Sequence, residues 1–173
     1  MTAPMTNQRD TLFPSPLHPP TAPIALSTAW IPLDALVQEW ATFGTQATDA
    51  PTLTATGMAF LALSWEMSAL HHRTWAYQDQ QRGLRRSAVR WLGQTMQDLT
   101  HATKHWSQVV LWLERLALDE HQQVEDLDAI RSLMQRTLEQ QQRVWTLMQQ
   151  VQEDLLVYGQ QPAGATTRGE QKL

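Results

Sequence analysis

Two histidines four residues apart, His101 and His105 in the run HATKH, share one face of any helix that contains them, the spacing used by zinc sites on helices. Zinc also needs a third and a fourth ligand. Asp98, one turn earlier, is the only local candidate, and the glutamate that follows the first histidine of a metalloprotease helix is missing. The expectation is a surface histidine pair with no metal. His71 and His72 are adjacent and so point apart. No serine sits in a GxSxG elbow, and the seven glycines are scattered singly, so no glycine-rich phosphate loop forms. A di-iron bundle would carry Glu-x-x-His pairs, but Glu66 leads to Ala69 and Glu120 to Gln123. The chain has no cysteine, hence neither a thiol nucleophile nor a thiolate ligand. These residues predict no catalytic site, no cofactor and no metal, and therefore not an enzyme.

The more informative cluster is basic. From His71 to His105 the chain carries Arg73, Arg82, Arg85, Arg86, Arg90 and Lys104 against only Asp79 and Asp98. In a helix starting near Leu84, Arg85 and Arg86 fall in the first turn, where the dipole disfavours each cation by roughly a few tenths of a kcal/mol. An anion is expected to face them. The run from Asp119 to Asp128, with five acids and no Lys or Arg, is one candidate, from this chain or a neighbouring copy. Nucleic-acid phosphate is the other, with Trp75, Tyr77 or Trp91 nearby to stack on bases. The pI of 5.8 and the lack of a recognised reader motif weigh against nucleic acid. Eight tryptophans are many for 173 residues. Trp75, Trp91, Trp112 and Trp145 fall at helical spacing beside the apolar stripes, which reads as core or interface packing and favours a subunit of something larger.

Helices must position these side chains. Pro32 suits a first turn, and Leu33, Leu36, Val37 and Trp40 line one face, so a short helix is expected over 32–43 with Gly44 as its stop. A second helix spans 52–80, with Phe60, Leu63, Met67, Leu70 and Tyr77 at 3-4 spacing as its apolar stripe. Gly83 marks a turn. A series from Ala88 through Leu92, Thr95, Leu99, Ala102, Trp106, Val109 and Leu113 to Leu116 then alternates steps of four and three. A second runs from Leu127 through Ile130, Met134, Thr137, Gln141, Val144, Met148, Val151 and Leu155 to Tyr158. The two are in register, so one continuous helix is geometrically allowed. The polar stretch DEHQQVED, with Asp119 and Gln122 resembling a capping box, favours instead a turn near 118–122 and helices over 84–118 and 122–158. Large flanking residues such as Trp112 and Leu133 widen the stripe beyond a two-stranded seam.

The expected fold is all-α: a helical bundle or elongated antiparallel coiled coil of three long helices plus one short N-terminal helix. Residues 1–29 are proline-rich and predicted to be a disordered tail, 30–159 the helical domain, and 160–173 a disordered polar tail. No apolar run is long enough for a membrane span and no secretory h-region is evident, and the lack of cysteine fits a cytoplasmic protein. The functional expectation is a non-enzymatic structural or interaction subunit that packs with partner proteins or itself. The alternative is a small helical subunit of a nucleoprotein complex, touching the nucleic-acid backbone through the Arg82–Arg90 cluster. In size and architecture the chain is similar to small helical subunits of RNA-guided CRISPR effector complexes, a likeness of shape without a shared motif.

Overall fold

The computed structural model describes residues 23–119 and 124–160, with side chains described over 33–119 and 126–158. The expected tails therefore lie mostly outside the described residues, as do positions 120–123. Four α-helices make up the structure: α1 Pro23–Thr45, α2 Ala50–Gln81, α3 Arg85–Ala117 and α4 Val124–Gln160. Among the described residues there is no strand, and no helix is long and apolar enough to cross a membrane.

The helix ends follow local chemistry. Asp49 caps α2 by accepting from the Thr52 backbone N–H at 2.7 Å, with Pro51 in the first turn where its missing donor costs nothing. Gly83 takes φ +72°, a left-handed conformation open to glycine, and turns the chain from α2 into α3. α3 ends at Ala117 and α4 starts at Val124, so 84–158 is two helices and not one. The first helix differs from the expectation. It begins at Pro23 and not at 32, because Pro23 can occupy a first turn and the residues from Ile24 to Ile31 contain no breaker. Pro32 then lies inside the helix, where it removes one backbone donor. Nor does Gly44 end α1: it is helical, and a Cβ there would meet Thr56 Cγ2 at 2.6 Å. Its bare backbone is what lets α1 close on α2.

α2, α3 and α4 run alternately up and down. Ser68 bonds Asp98 and Asp79 bonds Ser87, which sets α2 antiparallel to α3; Thr103 meets Met148 and Ser107 meets Gln141, which sets α4 antiparallel to α3. α2 and α3 share the most extensive contact. All nine members of the Ala88–Leu116 series are buried, as their spacing predicts. The α2 stripe is different. Phe60 and Met67, expected in the core, are each 39% exposed. Leu63 and Leu70 of the expected stripe are buried, and beside them runs a line of Ala55, Ala62, Ala69 and Ala76, seven apart and none above 3% exposed. α3 carries a matching buried line, Ala88, Thr95, Ala102 and Val109, as far beyond Arg82 as the alanines lie before it. Small residues on both sides let the two backbones approach closely. Larger residues of α2 are thereby turned to the flanks and outwards.

Two buried tryptophans separate packing from hydrogen bonding. Trp40 and Trp106 are both fully buried with ring centres 6.5 Å apart. The Trp106 indole N–H donates to the Glu66 carboxylate, whereas the Trp40 N–H has no partner among the described residues. Both Trp→Phe variants lose the same ring volume, so Trp106→Phe should cost about 1–3 kcal/mol more than Trp40→Phe in urea unfolding, by stranding a buried acceptor. Equal losses at both sites would contradict the assignment.

Candidate functional site

The six basic candidates do not act as one patch. Arg73 and Arg85 turn towards α4. Arg73 donates to Gln150 Oε1 at 3.3 Å and is drawn to Asp154; burial lowers its pKa and Asp154 partly offsets this. Burial likewise raises the Asp154 carboxyl, and Arg73 opposes the rise. Arg85 donates to the backbone carbonyl of Tyr158, one of the terminal carbonyls of α4 that the helix itself leaves unsatisfied. Arg82, Arg86 and Arg90 remain exposed at the α2–α3 tip, and Lys104 is exposed about 21 Å further along α3 from Arg90. Pairing of the cluster with Asp119, Asp126 and Asp128, the described acids of the run, fails within one chain on distance. α3 separates its own N-terminal arginines from the start of α4 by about 50 Å. The anion that meets the first turn of α3 is Asp79, which accepts from Ser87 Oγ and, at 3.1 Å, from Trp91 Nε1.

The aromatic candidates also divide. Trp75 and Trp91 come together, ring centres 4.8 Å apart, and Arg90 lies 5.6 Å from the Trp91 ring. Tyr77 is half-buried within a helical turn of Arg73. Trp112 pairs with Arg115 at 4.9 Å, and Trp145 is 52% exposed on α4, both remote from the Trp75–Trp91 pair.

Sequence reasoning missed what joins that pair to the helix seam. His72 stacks on Trp91 with ring centres 5.4 Å apart and planes at 10°, and its Nδ1 meets Asp98 Oδ2 at 2.6 Å. Asp98 is fully buried and also accepts from Ser68 Oγ at 2.8 Å and Gln94 Nε2 at 3.1 Å. Serine, histidine and aspartate thus touch, but not as a nucleophile needs. Ser68 donates its hydrogen bond to the carboxylate oxygen and not to the imidazole, so the three do not form a serine–histidine–aspartate relay. The trio is a clamp across α2 and α3. Asp98, the candidate third ligand for the HATKH pair, is fully committed here. His101 stacks on Trp65 at 4.6 Å, and burial holds the His105 pKa below its ordinary value, with Lys104 and His101 adding to the effect. Among the described residues no three histidine or acidic side chains form a metal-ready group.

A second buried acid ties three helices. Glu66 on α2 accepts from Trp106 on α3 and, at 2.5 Å, from Gln140 Nε2 on α4. Burial raises its pKa to about 7; the two hydrogen bonds and the Arg143 charge only moderate that rise. Gln140 and Arg143 also line a cavity of about 220 Å³ between α1 and α4, with Ala35, Leu36, Glu39, Arg136 and Glu139. The Arg136–Glu39 ion pair at 2.9 Å spans it, and two arginines balance two carboxylates. The cavity has no nucleophile in its lining and no net charge to select an ion.

Glu66 gives a signed pH prediction. Its folded pKa lies above the unfolded value of 4.5, so its contribution is fully present below pH 4.5 and is lost as pH rises through about 7. The loss should be on the order of 3 kcal/mol in unfolding free energy between pH 4.5 and 8. Glu66→Gln should flatten that dependence and be more stable than wild type at pH 8. An unchanged pH profile in the variant would show that another group titrates.

Comparison with known proteins adds no relative: no family model, no curated protein and no solved structure matches the chain.

Proposed function

We propose that this protein is a non-enzymatic helical subunit that works by helix-on-helix association, with partner proteins or with itself, in a larger cytoplasmic assembly. Its α2, α3 and α4 form an antiparallel bundle and α1 completes one end. One observation carries the reading. From Ala50 to His72 the only charged residue of α2 is Glu66, which is buried, while Leu53, Phe60, Leu61 and Met67 are exposed. A helix face of this kind on a globular chain marks an association surface more often than a solvated one.

A second reading keeps one observation of its own. Arg82, Arg86 and Arg90 project at the same end of the molecule, beside Trp75 and Trp91, as phosphate contacts and a stacking platform would. In an assembly, neighbouring subunits would add to this thin positive footprint.

Gentle purification from the native host tests both. The first reading expects wild type to elute as a stoichiometric complex and Leu61→Glu to elute at the monomer mass while still folded. Elution of wild type as bare monomer would contradict it. The second expects nucleic acid in the complex, read from the absorbance ratio. Replacing Arg82, Arg86 and Arg90 together with Gln should then lower the salt slope of single-strand binding by about 0.7 for each phosphate no longer neutralised. Wild-type protein and complex that both lack nucleic acid would remove the second reading.

A further inference from the structure

Both side chains that donate to Glu66 lie against α1. Trp106 meets Trp40 of α1, ring centres 6.5 Å apart. Gln140 is 5% exposed and lines the cavity to which α1 contributes Ala35, Leu36 and Glu39. α1 thus closes the approach to the Glu66 carboxyl through that cavity.

α1 is also the least secured of the four helices. It packs chiefly on α2, through Leu33, Leu36 and Trp40. Its tie to α4 is the Arg136–Glu39 ion pair, whose side chains are 56% and 28% exposed, so water and salt weaken it. The cavity leaves the α1–α4 seam incompletely filled. The buried Trp40 N–H, without a partner among the described residues, gains one from water when α1 lifts. Residues 46–49 join α1 to α2, and Asp49 bonds Thr52 of α2, so the start of α2 holds without α1.

We propose that α1 is a strap over the Glu66 site, which lifts when Glu66 ionises while α2, α3 and α4 stay packed. The groups around the carboxyl set the direction. α3 brings the Trp106 indole, and the charges acting on neighbouring His105 are Lys104 and His101. α4 brings Gln140 and the charge of Arg143. Glu39 of α1 is engaged by Arg136, and Glu139 of α4 accepts from Gln135. These partners do not offset burial, which holds the Glu66 pKa at about 7. With α1 lifted, water hydrates the carboxylate and its pKa falls towards 4.5. Ionisation therefore favours the lifted state. Opening grows as pH rises from 4.5 to about 7 and levels off above.

The chain has no cysteine, so a single introduced thiol can report on the strap. Thr56 is buried where Gly44 of α1 meets it, and labelling of Thr56→Cys requires α1 to lift. Ala102→Cys, fully buried in the α2–α3 seam, is labelled only on global unfolding. With rates corrected for thiol ionisation, Thr56→Cys should react about a hundredfold faster than Ala102→Cys at neutral pH. Its rate should rise about tenfold or more from about pH 5 to about pH 8, and adding Glu66→Gln should abolish the rise. Hydrogen exchange of the unsubstituted chain reads the same opening: amides of α1 should show the tenfold loss of protection, again absent in Glu66→Gln. Equal protection of the two thiols overturns the proposal, because α1 would then open only with the whole fold. So does an opening of α1 that ignores pH, or one whose pH dependence survives in Glu66→Gln.

Discussion

The close approach of α2 and α3 through their small-residue seam is the constraint on which the rest of the structure depends. With alanine at four successive heptad positions of α2, the inner line of the hairpin holds little side-chain volume. The helices must approach, and everything larger must leave the seam. On one flank Glu66 and Arg73 turn towards α4, with Tyr77 half-buried beside them. On the other, Trp65, His72 and Trp75 stack against α3. Leu53, Phe60, Leu61 and Met67 are left facing outwards.

Polar groups specify how the flanks close. Asp98 takes three donors and Glu66 two, so each buried carboxylate is hydrogen-bonded from a neighbouring helix. Burial of Glu66 carries a desolvation cost that its partners do not fully offset, as its raised pKa shows. Such a group adds little net stability. It does penalise any register of α3 or α4 that moves Trp106 or Gln140 away. Arg85, reaching the last carbonyls of α4, fixes the far end of the same helix pair. The residues that looked most like chemistry thus hold helices together.

Legibility in the sequence followed side-chain size. The α3 series is readable because its heptad positions are mostly bulky and apolar against a polar background, and every one of them is buried. On α2 the same reasoning selects Phe60 and Met67, because large residues dominate a periodicity count and alanine hardly registers. Burial went to the alanines and, of the selected residues, to Leu63 and Leu70. The start of α1 is hidden by prolines that look extended, although Pro23 suits a helix start. Adjacency in sequence makes the arginines look like one patch, whereas helical geometry sends Arg85 to α4 and leaves Arg82, Arg86 and Arg90 at the tip. The Ser68–Asp98 contact of the clamp does leave a signal in the sequence: Trp65, Ser68 and Asp79 are each as far before Gly83 as His101, Asp98 and Ser87 lie beyond it.

The alanine seam can be tested through the sign of one substitution, Ala62→Leu, followed by urea unfolding. A tightly closed α2–α3 seam has no room for three further carbons, and the variant should lose about 1–3 kcal/mol through overpacking. A loose seam would accept the leucine and gain stability from the added apolar burial. A stabilised Ala62→Leu protein would contradict the account.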